Sequence, residues 1–215
     1  RNKNLNLKGI DMCPEELKLA KKLLINSRVN LIESKAQNLS AINDNSIDIV
    51  LCHWALTLMD PIAPVLNEVK RILNTKGQFA ALVDGPMNTA PGYKEVHDLI
   101  YSYVQEEIPS YGDIDLGDPR IRGSKSLNDL AHKTFPDANV TIETNVVSME
   151  GPVIQVAEIA AGFFYATFVL KPQKRKSMIT SLSNLLAISK EKTDAERRGR
   201  FSMPISRLLV VLDTK

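Results

Sequence analysis

The sequence predicts an α/β fold on a mainly parallel sheet. Three observations carry this. Through residue 84, short apolar runs alternate with amphipathic ones, and strands alternating with helices of that length need crossover connections that make neighbouring strands parallel. The run Ile49-Val50-Leu51-Cys52 is continuously apolar, as expected of a strand buried on both faces. The chain has 215 residues, 44% of them hydrophobic, enough for one globular domain with a full core. Residues 1–215 are therefore read as a single domain.

The elements follow in order. Leu5 to Asp11 reads as a strand ending on a carboxylate. Pro14 to Ile25 reads as a helix: proline suits the first turn, Glu15 and Glu16 favour the positive end of the dipole, and Leu17, Ala20, Leu23 and Leu24 form a stripe. "VNLIES" (29–34) and "SIDIVLCH" (46–53) are the second and third strands. Asp60 and Pro61 open a helix carrying Val65, Leu66, Val69, Ile72 and Leu73, and Gly77 is expected as its left-handed C-cap. "QFAALVD" (78–84) is the fourth strand.

Beyond residue 84 the pattern changes. "GPMNTAPG" (85–92) is a loop, residues 93–108 a helix with Val96, Leu99, Ile100 and Val104 on one face, and residues 109–123 a long surface loop. Residues 126–135 are predicted as a short helix capped by Ser126. Residues 140–150 form a strand, 155–170 and 174–190 helices, and "SRLLVVLD" (206–213) a closing strand. In the helix expected at 155–170, Phe163, Phe164, Tyr165 and Phe168 place aromatics on more than one face, which suits an interface or an acceptor pocket.

Charge excludes little by itself. The formal net charge is +2, so there is no global case for a nucleic-acid partner. Residues 171–215 hold 11 basic and 4 acidic side chains, against 16 and 21 in residues 1–170; a solvated basic face is the plainer reading of that asymmetry. Cys13 and Cys52 make no disulfide framework and read as buried, reduced thiols of a cytoplasmic protein. No stretch approaches the ~20 apolar residues of a membrane span. His53, His97 and His132 lack metal-ligand spacing, so no metal is expected.

Asp11 at a strand tip suits two uses. A carboxylate has lone pairs for both hydroxyls of a ribose diol, or it caps the first amides of the following helix. The second and third strands end at "ESKAQNL" and "CHWALTLMD". If the strands are parallel, all three tips open on one edge, where ligands of open α/β sheets bind.

These residues, "GIDMCPEELKLAKKL" through "ESKAQNL", "NSIDIVLCHWALTL" and "NEVKRILNTKGQFAALVDG", resemble a class I S-adenosylmethionine-dependent methyltransferase of the methyltransferase type 11 group over residues 7–85. "RGRFSMPISRLLVVLDTK" is similar to that family's last, antiparallel strand. The resemblance implies a Rossmann-like sheet with a helical lid, here at 85–135. It also implies S-adenosylmethionine as cofactor and a small-molecule acceptor. It gives Asp11 the ribose, Met12 and the pair Ala36–Gln37 the adenine, and Cys52 a place near the methionine moiety.

The departures matter. Lys35 replaces an expected acid beside the adenine, and an ammonium accepts no hydrogen bond. Leu39-Ser40-Ala41 replaces Leu-Pro-Phe, and Gln78 follows Gly77 where a second glycine is usual. The family's first strand and glycine-rich loop have no counterpart here. Either an upstream segment lies outside this chain or the gene product lost it.

His53 at a strand tip and His97 on the acceptor-side helix are the candidate general bases, although in-line methyl transfer needs mainly positioning. Arg120 and Arg122 with Asp115 and Asp118 suit either an anion clamp or a lid whose charges satisfy one another, the latter being the plainer reading. The expected function is methyl transfer to a small organic acceptor. The alternative is a non-catalytic methyltransferase-like domain that binds no cofactor and self-associates or binds a partner. A nicotinamide-dependent oxidoreductase is a third reading, since Asp11 suits its ribose as well; the "NSIDIV" to "NEVKRIL" run argues against it. A homodimer is expected because the strands flanking the missing one would present open edges.

Overall fold

A computed structural model describes residues 5–24, 28–113, 116–188 and 197–213. The elements run β1 (Leu7–Asp11), α1 (Pro14–Leu23), β2 (Val29–Glu33), β3 (Ile47–His53), α2 (Ile62–Ile72), β4 (Leu73–Asp84), α3 (Tyr93–Gln105), α4 (Ser124–Thr134), β5 (Ala138–Pro152), α5 (Val153–Gly162), α6 (Pro172–Leu186) and β6 (Arg198–Leu212). The α/β expectation holds, with β1 parallel to β2, β3 parallel to β4, and β6 antiparallel to both β4 and β5.

The strands form two sheets, β1-β2 and β3-β4-β6-β5. Among the described residues β1 and β2 pair with each other and with no other strand. What joins the small sheet to the large one is the 34–46 connection. Leu39 and Ile42 are buried with Ile72 of α2, and Ile32, Ile47 and Val50 pack on that cluster. From α2, Glu68 accepts from the Leu39 amide at 2.5 Å, and Arg71 donates to the Leu39 and Ile42 carbonyls, both at 2.9 Å, and to Asp44. The Arg71 guanidinium beside Glu68 holds that carboxyl below the usual range.

Strand alternation sorts the large sheet's side chains. One face, with Phe79, Ala81, Val83, Leu208 and Val210, is buried under α2 and α4. On the other face Phe201, Met203 and Ile205 are covered by α3, α5 and α6. From residue 207 onward that second face is uncovered. Its cross-strand rows are Ile49–Gln78–Val211–Asn139, Leu51–Ala80–Leu209–Thr141 and His53–Leu82–Arg207–Glu143. Leu51 is 76% exposed and Ile49 58%. So the sequence expectation of a third strand buried on both faces fails: only its Val50–Cys52 side is packed. The small sheet is similarly open. Leu17 is the one buried residue of α1, and Leu23 of its stripe is exposed; Ile25 lies outside the described residues.

Other boundaries moved for local reasons. No left-handed residue ends α2: the chain turns extended at Leu73 and enters β4, so Gly77 is a strand residue rather than a C-cap. Its glycine is explained by contact, since a Cβ there would lie 2.9 Å from Leu73 Cδ2 and 3.0 Å from the Asn74 carbonyl oxygen. Gly123, not Ser126, precedes α4, and the Ser126 hydroxyl instead donates to the Arg120 and Gly123 carbonyls. The expected helix at 155–170 is two pieces, α5 and a 3-10 turn at Tyr165–Val169. Cys13 and Cys52 are half-buried free thiols rather than fully buried ones. Among the described residues no helix is long and apolar enough to cross a membrane.

Candidate functional site

The tips of β1 and β2 meet. The Ser34 amide donates to the Asp11 backbone carbonyl at 3.0 Å, and Asp11 lies opposite Glu33 in register. One carboxylate oxygen of Asp11 accepts from the Cys13 amide at 2.8 Å. One oxygen is thus taken up by the amide of Cys13, the residue before α1, whose N-cap has no side-chain hydrogen bond, and the other has no partner among the described residues. Met12 beside it is exposed, and Ala36 and Gln37 are half-buried just beyond β2. Lys35, immediately before Ala36, is exposed.

The sequence expectation gives these residues the adenosine half of S-adenosylmethionine; the structure leaves one Asp11 carboxylate oxygen without a partner among the described residues and Met12 exposed, while Ala36 packs against the α2 and α4 core. Cys52, expected near the methionine moiety, is on the packed side of β3. It packs on the α2 and α4 core, burial pushes its thiol up, and the Leu56 and Ala55 amides hydrogen-bond it.

A second cluster lies at the tips of β3 and β4. Trp54 adopts a left-handed backbone at φ 61°, and its amide donates to the Leu82 carbonyl at 2.9 Å. That turn swings the indole over β4, where Nε1 donates to Asp84 Oδ1 at 3.0 Å. Burial pushes the Asp84 carboxyl up, against the Trp54 hydrogen bond and the field of Arg122. Tyr93, at the start of α3, is buried and its phenol is likewise pushed up, first by burial and then by Asp84.

Ring contacts connect the two candidate histidines. His53 touches Trp54 at 5.2 Å between centroids; Trp54 leads to Phe163 at 6.1 Å, Phe163 to Phe201 at 6.1 Å, and Phe201 to Tyr93 at 6.1 Å. Tyr93 contacts Phe164 at 5.7 Å, and Phe164 contacts His97 at 6.1 Å. His97 stacks on Tyr101 at 4.1 Å, with Nδ1 3.1 Å from Asp98 Oδ1. His53 and His97 therefore border opposite ends of one aromatic arc, while His132 is exposed on α4. Asp84 is missing from the sequence-derived candidates. The signal was available: "QFAALVD" ends an apolar strand on an acid, as "LKGID" does.

The loop around Arg120 is self-satisfied. Asp118 Oδ1 accepts from the Arg120 amide and Nε, and Oδ2 pairs with Nη2 at 2.6 Å. Arg122 donates to the Leu116 carbonyl at 2.6 Å. Asp115 lies outside the described residues.

Residues 1–81 match the family described as a methyltransferase domain. None of the curated proteins matches the chain. Among solved structures, the YcgJ protein of Bacillus subtilis is 12% identical, with 97% of this chain and 82% of that one covered and a TM-score of 0.60. A SAM-dependent methyltransferase of Thermotoga maritima is 13% identical over 95% of this chain and 72% of that one, with a TM-score of 0.50. The [4+2]-cyclase SpnF is 12% identical over 100% of this chain and 68% of that one, with a TM-score of 0.53. Identities this low carry the fold alone, and the cyclase is a reminder that one fold serves several chemistries. Residues 1–81 thus match a methyltransferase domain, and the chain as a whole shares the fold of these solved structures.

Proposed function

We propose that this domain transfers a methyl group from S-adenosylmethionine to a small organic acceptor. The observation that supports it most is Asp11: a strand-tip carboxylate with one oxygen held by the Cys13 amide and the other open, beside an exposed Met12 and the Ala36–Gln37 pair. When bound, the cofactor supplies an electrophilic methyl on sulfur. Asp11 accepts the ribose hydroxyls, Met12 packs on the adenine, and Ala36 and Gln37 border its edge. Residues 85–135 contribute the acceptor side through α3, whose Tyr93 and His97 join the aromatic arc. His53 and His97 are the candidate proton acceptors there. We place the protein in the cytoplasm, in keeping with its two free thiols.

Calorimetry with adenosine and S-adenosylhomocysteine tests the reading. Because the described residues address the adenosine half, the two ligands are expected to bind within about tenfold of each other, a difference of ~1.4 kcal/mol. No adenosine binding at millimolar ligand refutes the cofactor site.

A second reading is favoured by the uncovered sheet face. Leu51 and Ile49 on β3 and, across β4, Leu209 on β6 are exposed on one face, and among the described residues β1 and β3 each have an unpaired edge. Open strand edges and apolar patches recruit other chains. In this reading the domain self-associates into a homodimer without binding cofactor. Light scattering decides it: a mass near twice 23.9 kDa together with no adenosine binding supports it, and a monomer at ~100 μM, far above ordinary specific affinities, removes it.

A further inference from the structure

We propose that Asp84, Trp54 and Phe163 form a binding site for an ammonium group, which makes the acceptor an amine. The inference rests on the methyl-transfer reading for its meaning, but not for its geometry. Asp84 ends β4, and only one of its oxygens is engaged, by the Trp54 indole. The other has no partner among the described residues, yet no buried side-chain oxygen or nitrogen is left unsatisfied there. The free oxygen is therefore open to an incoming group rather than sealed in the core.

The surroundings select that group. Trp54 and Phe163, 6.1 Å apart, are partly exposed, and Phe201 and Tyr93 stand behind them. Aromatic faces attract a cation through the ring quadrupole, and a half-buried carboxylate gains most from a ligand that restores its charge balance. Among the described residues Arg122 is the cation whose field reaches Asp84, and its guanidinium is engaged with the Leu116 carbonyl. An anionic acceptor meets the Asp84 carboxylate, and a neutral one leaves it uncompensated. A quaternary ammonium satisfies both rings and carboxylate, and so does a protonated amine, which passes its proton to the open Asp84 oxygen before its nitrogen lone pair accepts a methyl group.

The chain has a single tryptophan, Trp54, so its emission reports this site without any cofactor. Tetramethylammonium chloride is titrated against sodium chloride of equal ionic strength and against neutral tert-butanol. The expected result is a saturable change in Trp54 emission with the ammonium alone. Asp84→Asn is expected to weaken it about 10- to 100-fold, and Phe163→Ala, at a 41% exposed position, roughly 2- to 30-fold. Far-UV circular dichroism confirms folding; should Asp84→Asn not fold, Phe163→Ala alone decides. An equal response to tert-butanol, no saturation, or unchanged affinity in the folded variants overturns the proposal. Adenosine binding is measured separately, so failure here leaves the cofactor reading standing, and the reverse.

Discussion

Leu208 and Leu209 are neighbours on β6 that face opposite sides of the sheet, and truncating each to alanine isolates what the uncovered face contributes. Leu208 is 1% exposed and packed against the α2 and α4 core. Its removal costs both the transfer free energy and a cavity, about 2–5 kcal/mol. Leu209 is 39% exposed, in a row with Leu51 and Ala80. Full burial of a leucine is worth ~1.5–3 kcal/mol, and this one realises roughly 60% of it. The space it leaves opens to water and creates no cavity, so the expected cost is about 1–2 kcal/mol. Urea unfolding followed by far-UV circular dichroism measures both. The reasoning is refuted if Leu209→Ala costs as much as Leu208→Ala at low protein concentration, because the face would then be covered within the chain. A cost that grows with protein concentration assigns the cover to a second copy.

Other outcomes follow from the same geometry. Asp84 has a folded-state carboxyl pushed up by burial, so the folded chain holds its proton more tightly and stability falls as pH rises above the ordinary value of 3.8; Asp84→Asn should raise the melting temperature at pH 7, with the gain vanishing as pH approaches 3.8, and a variant less stable at pH 7 contradicts the sign. Gly117→Ala should destabilise by more than ~1 kcal/mol, since Gly117 has φ +70° and a Cβ there would lie 2.2 Å from the Thr57 carbonyl oxygen; an unchanged denaturation midpoint would show that the loop relaxes freely.

Much of the fold was legible because period and punctuation agreed. β3, α2 and the core of β4 lie close to where apolar runs and flanking Asp, Pro and Gly placed them. The closing strand was read too short. β6 begins at Arg198, yet Gly199 and Pro204 look like breakers. Pro204 is tolerated because its carbonyl faces β4, where it accepts from Gly85 at 3.0 Å, and β4 ends at Asp84, so its missing amide interrupts no ladder bond. The uncovered face was not legible at all. Apolarity at Ile49 and Leu51 signals a need for burial but does not say whether the described chain meets it. Asp11 was legible as a strand-tip acid; the Asp84 cluster was not read, because its aromatic partners come from residues 54, 93, 163 and 201 and only the fold assembles them.

The central claim is that Asp11 anchors an adenosine-containing cofactor at the meeting tips of β1 and β2. Isothermal titration of adenosine into the chain and into Asp11→Ala tests it most directly. The account predicts measurable binding that weakens about 10- to 100-fold in the variant, the loss of a charge-assisted hydrogen bond. Unchanged affinity in a variant with the same circular dichroism spectrum would remove Asp11 from the site and contradict the account.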